Sequence, residues 1–143
     1  MTLDPTARSV SIDMLIAFDT EQQLDFTAAD ELPSRERSQV REYVQSVLRR
    51  RSYLDFLVGE FSSISMVDMS APLKNILRLS FYEMLYMEHI PDYATINEAV
   101  EIAKANLGSK TGDLVNAMLR HLQRDMATLP KPAFADRKKL IAV

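Results

Sequence analysis

No cysteine occurs in the 143-residue sequence. That excludes disulfides, thiolate zinc sites and cysteine nucleophiles, and it suits a reducing cytoplasm. Glycine is almost as scarce, at three residues, so the glycine-rich phosphate loop and the dinucleotide fingerprint are both missing. The two histidines, His89 and His121, lie far apart and outside any His-Glu-x-x-His pair, and each reads as a surface or packing residue. No catalytic residue, metal ligand or cofactor is therefore expected. No apolar run approaches the roughly 18 residues of a membrane span, and the opening Met1-Thr2-Leu3-Asp4-Pro5 lacks the basic and apolar parts of a signal peptide. A soluble, cytoplasmic protein is the expectation.

Positive charge is also in deficit, since the formal net charge is −3. Counterion release rewards clustered cations, so any contact with a polyanion has to be one-sided. The cations are in fact clustered. Arg35 to Arg51 carries six arginines against two glutamates, Arg137, Lys138 and Lys139 form a basic tail, and Asp19 to Glu31 is acidic. The arginine-rich stretch reads equally as a solvated face or as an RNA or protein contact.

What is abundant is apolar residues at three- and four-residue spacing, the helical period. The fold class is all-α, an irregular bundle of about six or seven helices. One domain over residues 1–128 is expected, with 129–143 a Pro-containing basic tail or linker opened by Leu129-Pro130-Lys131-Pro132. Asp4 as cap and Pro5 in the first turn predict a first helix burying Val10, Met14, Leu15 and Phe18 and fading near Thr20. Pro33-Ser34, with Ser34 as cap, restarts a helix whose buried stripe is Val40, Tyr43, Val44, Val47 and Leu48. Arg49-Arg50-Arg51-Ser52 either continues it or marks a bend, and a bend is favoured before a shorter piece with Tyr53, Leu54, Phe56, Leu57 and Phe61. Ser62 to Ser70 reads as a connection.

Ser70-Ala71-Pro72 opens the clearest helix, the expected centre of the bundle, with Leu73, Ile76, Leu77, Ser80, Met84 and Leu85 on one face and Phe81 alongside. Ile90-Pro91-Asp92 should end it. Thr95-Ile96-Asn97-Glu98 has the spacing of a capping box, so Thr95 should cap a helix that buries Ile96, Ala99, Val100 and Ala103 and stops at Gly108. The last helix, from about Thr111, presents Leu114, Val115, Met118, Leu119, Leu122 and Met126.

Glu98 and Glu101 could form an acid–base pair, but at this spacing they are ordinary helix residues, and Glu98 has a capping role. Asn97 and Asn116 sit near apolar stripes, where a buried amide would need partners. Met84, Met87, Met118 and Met126 read as gap-filling core.

Three segments in order, Leu73 to Tyr86, Ile90 to Lys104 and Leu114 to Arg120, resemble the NusB family in their Ile-Pro, Ile-Asn-Glu-Ala-Val-Glu and Val-Asn-x-x-Leu steps. Two branches share this domain: the free-standing transcription antitermination factor, and the RNA-recognition domain of the Sun or Fmu ribosomal-RNA cytosine-5 methyltransferases. Ser34-Arg35-Glu36-Arg37, Val47 to Asp55 and Pro91-Asp92-Tyr93-Ala94 are closer to the second, yet the catalytic cysteine of those enzymes has no counterpart here. The resemblance implies RNA binding without catalysis: a box A-type RNA held with a small-subunit ribosomal protein, near the RNA polymerase complex. Homodimers also occur in the family. For the family's arginine-rich N-terminus only Arg8 is present. The resemblance places RNA contacts first at Arg8, Lys104 and Lys110, then at Arg35, Arg37 and Arg41, with Tyr93 as an aromatic platform. A detached methyltransferase recognition domain and a helical protein-interaction module without RNA binding are the alternatives.

Overall fold

The computed structural model describes residues 6–128. Six α-helices and two short 3-10 turns make up these residues: α1 (Ala7–Glu21), α2 (Ser34–Arg49), α3 (Arg51–Phe61), α4 (Ala71–Tyr86), α5 (Asp92–Leu107) and α6 (Ser109–Thr128). The turns are Phe26–Ala29 and Met66–Asp68. The tail at 129–143 lies outside the described residues.

Helix α4 is the centre, packed by α1, α2, α3, α5 and α6. Ser70 caps it by accepting from the Leu73 N–H, and Pro72 occupies its first turn, where a missing N–H costs nothing. From Asn75 to Leu85 every residue is buried, so α4 is enclosed all round, whereas its apolar period had indicated only one buried face. Ser80 tolerates this by donating to the Ile76 carbonyl at 2.7 Å. The expected stripe of α2 is buried at Val40, Tyr43, Val44 and Val47, and the bend at Arg50 divides α2 from α3.

Polar residues of α4 turn inward as well. Arg78 forks onto Asp55 of α3, Nε to Oδ1 at 2.6 Å and Nη2 to Oδ2 at 2.9 Å, and reaches Asp19 of α1 through Nη1 at 2.7 Å. Asn75 donates to the same Asp19 oxygen at 2.9 Å. Burial by itself would lower the Arg78 pKa, but the hydrogen bonds and charge of Asp55, and then of Asp19, outweigh it and hold the guanidinium above its ordinary value.

Several helix starts differ from the sequence expectation. Thr6, not Asp4, caps α1 in a reciprocal box with Ser9, and Asp4 and Pro5 lie outside the described residues. Pro33 occupies the cap of α2, so Ser34 is its first helical residue. Helix α4 ends at Tyr86, a turn before Ile90-Pro91-Asp92. The Thr95 capping box is not formed. Pro91 is pre-set in extended geometry and Asp92 follows in the first turn, where a carboxylate suits the helix dipole, so α5 begins at Asp92 and carries Thr95 inside it. Helix α6 likewise starts at Ser109, before Thr111. Phe56 is 60% exposed, and the inward positions of α3 belong to Leu54 and Val58.

At the other end of α5, Gly108 has φ +96 and ψ 167, a region open essentially to glycine. Gly112 lies under the Lys104 side chain, which a Cβ there would strike. Replacing Arg78 by Met should cost about 3 kcal/mol, because Asp19 and Asp55 lose their counter-charge. Urea unfolding measures this. The double variant Arg78→Met with Asp55→Leu should lose less than the two single losses added together, and a loss within roughly 0.5 kcal/mol for Arg78→Met would refute the structural role.

Candidate nucleic-acid interface

Arg8 is a core residue, 8% exposed. Its Nε and Nη2 donate to Glu83 of α4, Nε to Oε1 at 3.1 Å and Nη2 to Oε2 at 2.6 Å, and its Nη1 pairs with Glu98 Oε2 of α5. The Tyr43 hydroxyl of α2 donates to Glu83 Oε2 at 2.8 Å and accepts from Gln39 Nε2 at 2.9 Å. One guanidinium thus gathers α1, α2, α4 and α5. Arg8, the residue expected to lead the RNA contacts, is turned inward with its charge already matched by carboxylates. The same ion pair gives Glu98 its role in place of the capping box.

Above this knot opens a cleft of about 530 Å³ lined by four glutamates, Glu36, Glu83, Glu98 and Glu101, against Arg8 alone among the arginines and lysines, together with Asn97. Its lining repels phosphate. Glu101 and Asn97 share a face of α5 with Lys104, so the negative stretch gives way to a cation only near the α5–α6 turn. Lys104 and Lys110 flank that turn, both exposed.

The opposite side of α2 is different. Ser34, Arg37, Ser38 and Arg41 share one face and line a second cleft, about 340 Å³, with Phe26, Ala29 and Asp30. The Arg41 guanidinium lies 4.6 Å from the Phe26 ring centroid, and Arg37 Nη1 donates to the Asp30 carbonyl at 3.4 Å. The structure therefore brings together Arg37 and Arg41 but not Arg35, which leaves α2 about a third of a turn away. Tyr93 is 63% exposed at the start of α5. Asn97 and Asn116 are both exposed, so neither needs the buried hydrogen bond considered for it.

Among the residues that build these sites, Glu83 and Phe26 escaped the sequence reading. Glu83 left a signal, as a lone carboxylate inside Phe81-Tyr82-Glu83-Met84-Leu85. Phe26 left less, as an aromatic within an acidic stretch. Among the described residues no group of His, Cys, Asp and Glu is placed to hold a metal ion, and no helix is long and apolar enough to cross a membrane.

A model of the NusB family matches residues 5–124. The transcription antitermination protein NusB of Dictyoglomus thermophilum is 31% identical over 119 residues, covering 82% of this chain and 82% of that protein. The probable ribosomal RNA small subunit methyltransferase B of Bacillus subtilis is 32% identical over 127 residues; the match covers 84% of this chain and only 28% of the enzyme. Among solved structures, T. maritima NusB superposes with a TM-score of 0.74 at 26% identity, over 82% of this chain and 88% of that one. A chain from a crystal structure of antitermination factors NusB and NusE with double-stranded RNA gives a TM-score of 0.76 at 17% identity, over 83% and 94% of the two chains, which shows the shared fold.

Burial, and then the neighbouring Glu83 carboxylate, raise the Tyr43 pKa well above its ordinary 10.0. The folded protein keeps that proton while the unfolded chain releases it from about pH 10 upward, so the stability present at neutral pH declines as pH rises past that point. Tyr43→Phe should flatten this decline, measured as urea midpoints at about pH 8 and about pH 10.5. Equal declines in the two proteins would contradict the assignment.

Proposed function

Since the chain belongs to the NusB family, we propose that it is a non-enzymatic RNA-binding adaptor of the NusB type. In this reading it holds a box A-type RNA together with a small-subunit ribosomal protein, in transcription antitermination or ribosomal-RNA synthesis, in the cytoplasm alongside RNA polymerase. The observation that carries the reading is the match to an antitermination factor over most of both chains, on the fold of T. maritima NusB. Physical chemistry supports it in one respect. Cations that make no ion pair among the described residues lie at the outer face of α2 and at the α5–α6 turn, and such clusters attract a polyanion despite a negative total.

A second reading has its own support: a recognition domain that works with a ribosomal-RNA methyltransferase. The B. subtilis enzyme is matched along most of this chain but over little more than a quarter of its own length. The adaptor would then deliver RNA to a catalytic domain, since a chain without cysteine lacks the nucleophile of those enzymes.

A filter-binding titration distinguishes the readings. The chain is mixed with box A-type RNA or with a ribosomal-RNA hairpin, with and without a small-subunit ribosomal protein, at about 50 mM and about 200 mM salt. The adaptor reading expects box A-type RNA to bind more tightly than the hairpin, more tightly still with the ribosomal protein, and more weakly at the higher salt. Preference for the hairpin, unaffected by the ribosomal protein, would favour the methyltransferase-associated reading. Absence of salt-dependent affinity for either RNA would eliminate both and leave a protein-interaction module.

A further inference from the structure

The two clefts lie on opposite sides of the same half of α2 and carry opposite charge. One is lined by four glutamates around a single, already paired arginine. The other is lined by two arginines and two serines with Asp30 as its one carboxylate. A phosphate approaching the first meets uncompensated negative charge. At the second it meets guanidinium groups whose hydrogen-bonding capacity is largely unspent among the described residues.

That capacity follows from how each arginine is held. Arg41 holds its guanidinium carbon 4.6 Å over the Phe26 ring centroid, a cation–π contact that restrains the group without spending a hydrogen-bond donor on an acceptor among the described residues. Arg37 is steadied by a single long hydrogen bond to the Asp30 carbonyl, and it too keeps most of its donors. The Ser34 and Ser38 hydroxyls line the same space. Ser34 also begins α2, so the positive end of a 16-residue helix dipole adds to the potential there. Planar forks and hydroxyls around a cavity of about 340 Å³ suit a tetrahedral oxyanion.

We propose that this cleft, between the Phe26–Ala29 turn and the first half of α2, seats a backbone phosphodiester of bound single-stranded RNA, with Arg37 and Arg41 as its contacts. The proposal rests on the RNA-binding reading above. It assigns the RNA to the side of α2 away from Arg8, and it gives Arg35 no part.

The test compares Arg37→Gln/Arg41→Gln with the native chain in RNA filter binding over a salt series. Loss of two phosphate contacts on single-stranded RNA should flatten the slope of log affinity against log salt by about 1.4. Arg35→Gln, on another face of the same helix, should leave the slope unchanged. Arg41→Lys keeps the charge and should retain the native slope, which separates a phosphate contact from damage to the packing on Phe26. Thermal unfolding of each variant confirms that the fold is kept.

Inorganic phosphate is titrated in parallel, with the amide resonances of Ser34 to Arg41 as the readout. Native RNA binding with an unchanged slope in Arg37→Gln/Arg41→Gln would overturn the cleft and leave the RNA-binding reading standing. A native chain that binds no RNA would overturn both. If those amides respond to inorganic phosphate while RNA does not bind, the cleft is a free-anion site and the phosphodiester assignment fails.

Discussion

Two buried arginines hold α1 against α4, and the remaining helices are arranged around that pair. Arg8, at the start of α1, meets Glu83 near the end of α4, while Asp19, near the end of α1, meets Arg78 and Asn75 in the first half of α4. The order of these contacts makes the two helices antiparallel and fixes their register. Apolar side chains such as Ile12, Leu15, Ile76 and Leu79 supply the burial, but apolar surfaces can slide past each other. A guanidinium moved one turn along would leave a charge unpaired in the interior, a state costing several kcal/mol. The ionic contacts therefore choose among packings that burial alone would leave closer in energy. They also extend outward, Arg78 to Asp55 of α3 and Arg8 to Glu98 of α5.

The same arrangement distributes the surface charge. Because Arg8 is drawn inward and matched, the groove between α1 and α5 shows its glutamates and no free guanidinium. The arginines of α2 stay outside because the inner face of that helix is filled by Val40, Tyr43, Val44 and Val47. A protein with a net charge of −3 consequently presents separate faces of opposite sign, which is the condition for a polyanion to approach from one side only.

Much of this was legible from spacing, and the limits were physical. Helix number and the buried stripe of α2 follow from the period of Val, Leu and Ile, and Ser70-Ala71-Pro72 opened α4 as expected because a cap and its helix are neighbours in sequence. The fate of Arg8 is decided by Glu83, 75 residues away, and nothing in a local window around Arg8 distinguishes a buried guanidinium from a solvated one. Thr95-Ile96-Asn97-Glu98 is misleading for a related reason. The motif has correct cap chemistry, but Pro91 and Asp92 start the helix first, and the Glu98 carboxylate is then taken by a charge from another helix. Asn116 shows the converse, since its neighbours Val115 and Met118 are buried while it turns outward. Periodicity locates a stripe more reliably than it locates the edge of that stripe.

A surface that is to hold a polyanion needs its cations fixed in place, because affinity is lost when flexible side chains must be ordered on binding. Lysines at a turn, such as Lys104 and Lys110, keep much of their freedom, although the Lys104 stem is restrained above Gly112. Arg41 is restrained by an aromatic ring and stands on a helix whose other face carries Tyr43, itself hydrogen-bonded to the Glu83 carboxylate that holds Arg8. The position of a surface guanidinium is thus traceable through α2 to the ion pair in the core. A buried salt bridge adds little net stability against a well-packed apolar alternative, so its value here lies in geometry. It sets where α2 lies, and with it the spacing of the charges that a partner would meet.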